Sequence, residues 1–159
     1  MGDMAAGRVR ARYIDAIPGR GKTFMLRAVV LALRSPSSGR SLIVVTVAST
    51  GVAASQYLGG FSAPETDGTT AHRRFRITVR ASWGSEDPPG CQVTGGSDVA
   101  VLLCVADVVV WDELANARRA DFEAVDASLL ELRDSDLPFG GVTFIGVGDS
   151  TRYLRTLSS

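Results

Sequence analysis

Lys22 is the only lysine among 17 basic residues, all the others being arginine, and it stands between Gly21 and Thr23. Ala16-x-x-x-x-Gly21-Lys22-Thr23 has the spacing of a phosphate-binding loop, with Ala16 in place of the usual first glycine. In such a loop the backbone N–H groups wrap phosphate oxygens, and the N-terminus of the following helix adds a favourable dipole. Gly19 and Gly21 let the main chain come close without a Cβ in the way. Lys22 brings a compact ammonium to the β- and γ-phosphates, a role that a planar guanidinium fills poorly. Thr23 offers its hydroxyl to Mg²⁺. The candidate nucleotide contacts in this stretch are Ala16, Pro18, Gly19, Arg20, Gly21, Lys22, Thr23 and Phe24. Arg20 sets a bulky charge beside the phosphates, where it either helps or points outward. The competing reading is a chance match at a helix start.

A second group is Asp112-Glu113, directly after the apolar run Val108–Trp111. In a nucleotide hydrolase an aspartate at that place helps hold Mg²⁺, and the adjacent glutamate positions or deprotonates the attacking water. Lys22 and Glu113 are therefore the candidate catalytic residues, and Thr23 and Asp112 the candidate Mg²⁺ ligands. A strand-end carboxylate pair that only caps a helix would read the same way. His72, the sole histidine, sits beside Arg73, Arg74 and Arg76 in the one local basic cluster. Such a cluster suits nucleic-acid phosphates, and Phe75 can stack on a base or anchor in the core, with the core preferred. The plainer alternative is a solvated helix end.

These groups need elements to hold them. Alternating basic and apolar residues over Val9–Ile14 predict a short strand. Thr23–Arg34 is apolar nearly all round, which predicts a helix buried on more than one side. Ser35–Gly39 is a turn cluster that stops it. Ser41–Ala48 is a β-branched run of the kind found in buried parallel strands. Residues 59–68 and 81–97 read as polar loops. Asp98–Val105 is expected as a short helix capped by Asp98, and Asp107–Trp111 as a buried strand. Phe122, Val125, Leu129 and Leu132 share one face of a helix over Arg118–Arg133. Asp134–Gly141 reads as a loop and Val142–Val147 as a final strand. Strands alternating with helices predict one α/β domain, its mostly parallel sheet covered by helices on both faces. There is no internal repeat.

Composition narrows the classes. With 159 residues and 45% apolar content the chain can bury a core. Its formal net charge of +0 removes a whole-chain electrostatic case for nucleic acid, so any such contact must be local. Cys91 and Cys104 lack metal-ligand spacing, so no structural metal is expected and a reduced, intracellular thiol pair is the default. The apolar runs are too short for a membrane span. Arg8, Arg10 and Arg12 lack the apolar stretch of a secretory leader, and Ala6 stands where a myristoylation signal needs Ser or Thr.

Five stretches stand in a telling order: YIDAIPGRGKTF from Tyr13, VASTGVAA (Val47–Ala54), GTTAHRRF (Gly68–Phe75), VVVWDELANARRADFEAVDASL (Val108–Leu129) and LPFGGVTFIGVGD (Leu137–Asp149). Together they resemble the PIF-type (petite integration frequency) DNA helicases of superfamily 1, above all their Helitron-associated branch. The resemblance covers about Tyr13 to Leu154. It implies a RecA-like P-loop ATPase domain that binds ATP with Mg²⁺ and couples hydrolysis to single-stranded DNA. By resemblance Lys22 and Thr23 meet phosphate and magnesium, while Asp112 and Glu113 are the magnesium ligand and catalytic glutamate. Ser49, Thr50 and Gly51 match the motif on the DNA backbone. Thr70 and His72, with Arg73 alongside, lie by the DNA path. Gly148 and Asp149 match the third motif and, with Arg152, complete the nucleotide set. Nuclear location is implied if the host is eukaryotic.

The family pattern is not followed throughout. Arg152 stands where that third motif carries a γ-phosphate-sensing glutamine, and a guanidinium only donates where an amide also accepts. No glutamine precedes Ala16 to read adenine. The second RecA-like domain, with its arginine finger, does not occur before Ser159. The expectation for the isolated chain is thus weak nucleotide binding without unwinding. The alternatives are a non-catalytic remnant or interaction module and, less favoured, a P-loop small-molecule kinase with residues 59–97 as a lid.

Overall fold

The computed structural model describes residues 11–15, 17, 19–36, 40–56, 68–78 and 89–149. The elements run β1 (Ala11–Asp15), α1 (Lys22–Arg34), β2 (Val44–Ala48), α2 (Gly51–Ser55), β3 (Thr69–Thr70), α3 (Ala71–Arg74), α4 (Asp98–Val105), β4 (Val108–Asp112), α5 (Arg119–Leu132) and β5 (Thr143–Gly148). Two short 3₁₀ turns, Leu114–Asn116 and Pro138–Gly141, precede α5 and β5.

The two β-branched runs, β2 and β4, are buried along their whole lengths and lie next to each other inside the sheet. The strand order is β1-β5-β4-β2-β3, and every pairing is parallel. Side chains alternate between the two faces. Val45, Val47, Val109, Trp111 and Phe144 pack into the larger core with residues of α3, α4 and α5. Val44, Val108, Val110 and Val147 meet Leu26 and Val30 of α1 on the other face. Helices thus cover both faces, as the alternating pattern predicts.

Trp111 anchors the larger core. Its ring is 6.2 Å from that of Phe75, and Phe139 stacks on Phe144 at 4.3 Å beside it. Phe75 is 0% exposed, so it belongs to the core and not to a base-stacking surface. Asp126 Oδ1 accepts a 2.6 Å hydrogen bond from the Phe139 backbone N–H, which fastens the turn before β5 to α5. Arg133 closes the far end, donating to the carbonyls of Leu103, Cys104 and Gly140.

Two expectations are corrected. Helix α1 buries only Leu26 and Val30, while Phe24, Met25 and Leu31 are exposed. It is covered on one side, because the sheet supplies the only apolar wall it meets among the described residues. The cap of α4 is Ser97, not Asp98: the Ser97 hydroxyl accepts from the Ala100 N–H, and Asp98 takes the first helical position. A carboxylate there still complements the helix dipole. Within the described residues the strand read over Val9–Ile14 spans Ala11–Asp15, and residues 59–67 and 81–88 of the two expected loops lie outside them. Among the described residues no helix is long and apolar enough to cross a membrane.

Candidate active site

Parallel strands point their carboxyl ends the same way, and in open α/β sheets ligands bind beyond that edge. Register makes the point residue by residue: Asp15 pairs with Gly148, Ala48 with Asp112 and with Thr70. The chain leaves these strands at Gly19–Lys22, Ser49–Thr50, Ala71–Arg74, Glu113 and Asp149. All five stretches of chemical interest therefore open on one edge of the sheet.

The turn into α1 is glycine-built. Gly19 and Gly21 have φ of 74° and 77°, a left-handed conformation that favours glycine. A Cβ at either would meet no protein atom within 4 Å, so conformation and not crowding requires glycine here. Gly21 caps α1 with its backbone alone, and the first turn of the helix carries no acidic residue. A helix start without an acidic side chain of its own presents backbone N–H groups and a positive dipole end that suit an anion.

Lys22 Nζ lies 3.1 Å from Glu113 Oε1, although the two residues are 91 apart in sequence. The lysine side chain is 10% exposed and the glutamate 31%. The other glutamate oxygen, Oε2, accepts 2.7 Å from Asn116 Nδ2. Glu113 has φ 54° and ψ 34°, a left-handed geometry uncommon for a non-glycine residue and concentrated at functional sites. Asp112 ends β4 at 2% exposure, and its Oδ1 accepts 2.8 Å from the Glu113 N–H. Gly19, Gly21, Lys22, Thr23, Phe24, Glu113 and Asp149 line a cavity of about 260 Å³. A hydroxyl at Thr23 and a buried carboxylate at Asp112 are hard oxygen donors of the type Mg²⁺ takes. Ala16, Pro18 and Arg152 lie outside the described residues.

The second candidate surface adjoins the first. Ser49 accepts 2.9 Å from Trp111 Nε1, and its N–H donates 3.1 Å to the Asp112 carbonyl. Thr50 caps α2 by accepting from Ala53 N–H, and Thr70 caps α3 by accepting from Arg73 N–H. Gly51 opens α2 and Arg73 is exposed. His72 Nε2 lies 3.6 Å from Asp121 Oδ2, a carboxylate 2% exposed that Arg118 grips bidentately at 2.7 and 2.9 Å. That carboxylate, first through its hydrogen bonds and then its charge, raises the Arg118 guanidinium further above its usual range. Desolvation by burial pushes the Cys91 thiol up to about 11. Asn116, Arg118, Asp121 and Trp111 lie inside the stretch Val108–Leu129 and Ser49 inside Val47–Ala54, but none of the contacts that these side chains make is expected from the sequence, because no spacing states them.

The PIF1-like helicase family model matches residues 5–156. The ATP-dependent DNA helicase PIF4 of Trypanosoma brucei brucei is 32% identical over 146 residues, 91% of this chain and 16% of that protein. Among solved structures, Bacteroides Pif1 bound to ssDNA superposes with a TM-score of 0.67 at 22% identity, covering 94% of this chain and 32% of that one. Bacteroides sp Pif1 in complex with ADP-AlF4 superposes with a TM-score of 0.63 at 25% identity, covering 89% and 28%. The chain thus spans 16% of the trypanosome helicase and under a third of the Bacteroides chains.

Proposed function

The chain belongs to the PIF1-like helicase family, and from that premise we propose that its carboxyl-edge cradle binds Mg-ATP and hydrolyses it in step with single-stranded DNA. One observation carries the reading: the Lys22 ammonium and the Glu113 carboxylate meet at 3.1 Å over a glycine-built helix start. Without ligand the two charges satisfy each other. When a triphosphate enters, Lys22 turns to its oxygens and leaves Glu113 Oε1 to accept a proton from the attacking water. Asn116 keeps the other glutamate oxygen in place. Backbone N–H groups of the Gly19–Lys22 turn receive the phosphates, and positioning with charge neutralisation accounts for most of the catalysis. Thr23 and Asp112 would hold Mg²⁺, which when bound neutralises phosphate-oxygen charge. Asp149 adds a carboxylate to the cavity wall.

The relatives' names support both halves of the proposal: one is an ATP-dependent DNA helicase and another was solved with ADP-AlF4. The DNA half rests on Ser49, Thr50, Gly51, Thr70, His72 and Arg73, which leave the sheet beside the nucleotide cavity. Hydroxyls and N–H groups at strand ends suit phosphate contacts. Labelled-ATP binding with Mg²⁺ tests the nucleotide half. Lys22→Ala is expected to lose binding, and equal binding by both proteins removes the loop from the mechanism. Single-stranded DNA is expected to stimulate hydrolysis, with an effect that fades as salt rises; DNA-independent, salt-insensitive turnover contradicts the second half.

A further inference from the structure

The side chain of Asp121 has no part in the nucleotide cavity, yet it is one of the few buried charged groups. It sits in the first turn of α5, at 1% exposure for the whole residue. A buried carboxylate needs a partner, and Arg118 is a full one, with Nε at 2.9 Å from Oδ2 and Nη2 at 2.7 Å from Oδ1. Stability therefore asks for nothing more. The same Oδ2 nevertheless also faces His72 Nε2 at 3.6 Å, across the gap between α5 and α3. The His72 side chain is 37% exposed and that of Arg118 54%, so both reach solvent while sharing one buried anchor. Cys91, whose thiol burial keeps protonated up to about 11, also feels the Asp121 charge.

We propose that Asp121 is a positioning residue for DNA binding, setting the His72 imidazole and the Arg118 guanidinium side by side as donors to neighbouring phosphates of a single strand. This rests on the reading of α3 as a DNA-facing element, and it adds Arg118 to that surface. With Nε2 turned to the carboxylate, the imidazolium form keeps an Nδ1–H donor for a phosphate. With Nε and one Nη2 proton turned the same way, the guanidinium keeps its Nη1 donors for a phosphate. Each side chain is held from one side only, which removes rotamer entropy before the strand arrives. The carboxylate lies in the helix that follows the Glu113 turn, so one short stretch of chain serves both the nucleotide cavity and the DNA edge.

Fluorescence anisotropy of a labelled oligo-dT at low salt tests the proposal with a double-mutant cycle. His72→Ala is expected to weaken binding about tenfold and Asp121→Asn about fivefold, with the double variant weaker than His72→Ala alone by clearly less than about fivefold, because only the Arg118 share is then left to lose. Wild-type affinity in Asp121→Asn, or losses that multiply in the double variant, overturns the positioning role and leaves the DNA reading of α3 intact. If His72→Ala binds oligo-dT as wild type does, that DNA reading itself falls and this inference with it. Should Asp121→Asn not fold, Arg118→Gln decides. It is expected to weaken binding and lower the salt slope by about one; an unchanged slope overturns the proposal.

Discussion

Glu113→Gln should tighten nucleotide binding while abolishing turnover. The structure sets the size of the effect. At 3.1 Å, Coulomb attraction between the Lys22 ammonium and the Glu113 carboxylate is about 5 kcal/mol for an effective dielectric of about 20. The glutamate side chain is 31% exposed, so solvent screening and the desolvation of both ions cancel much of that. A net of about 1–2 kcal/mol is left for a triphosphate to displace, which corresponds to about five- to thirtyfold in Kd. An amide keeps the shape and the Asn116 hydrogen bond but not the charge, so Lys22 is released to the phosphates. The assay is a titration with a fluorescent ATP analogue in Mg²⁺, paired with phosphate release. The gain should shrink with added salt, because the contact it removes is ionic. Affinity equal to or weaker than wild type would refute the idea that Glu113 restrains the ammonium. Retained turnover would refute its role toward water.

Four further outcomes follow from packing. Gly148→Ala places a Cβ 2.6 Å from Tyr13 Oη and 2.9 Å from Ala115 Cβ, so the 3₁₀ turn behind Glu113 must move. A loss of about 1–3 kcal/mol, read as a lower thermal midpoint, is expected, and an unchanged midpoint would contradict the crowding. Phe75→Ala empties the space against Trp111 and should lose about 3–5 kcal/mol in urea unfolding, whereas a surface role for Phe75 would leave stability alone. The exposed Cys104 should alkylate well before Cys91 at mildly alkaline pH, since burial holds the Cys91 thiol protonated to about 11. The unfolded chain gives up that proton near 9.0, so the unfolded state binds fewer protons between these values. The contribution of Cys91 to stability is complete below that window and declines as pH rises through it, which denaturant midpoints across the range would register.

Much of this molecule is legible in its sequence because the informative chemistry is local. A glycine-built turn before an apolar helix, β-branched runs followed by carboxylates, and a 3.6-residue stripe through Phe122, Val125 and Leu129 each report on their own few residues. Sheet class, the order of elements and the loop around Lys22 could all be read that way. The parallel register then did what no local pattern states: it brought Asp15, Ala48, Thr70, Asp112 and Gly148 to one edge. The sequence set Lys22 and Glu113 in one site, but the direct contacts across that edge were hidden. Lys22 with Glu113, Ser49 with Trp111 and His72 with Asp121 join residues far apart in the chain, and which charge or hydroxyl meets which depends on how the helices settle on the sheet. The apolar girth of α1 is the reverse case. Hydrophobicity on every side announces burial, but only the packed structure decides how many walls are present, and among the described residues the sheet provides the one that α1 meets. Sequence by itself determined the elements and the cradle, since propensity and turn chemistry act over a few residues. Tertiary structure alone decided the partners of the charged groups, since their cost of burial is met by whatever the fold carries within a few ångströms.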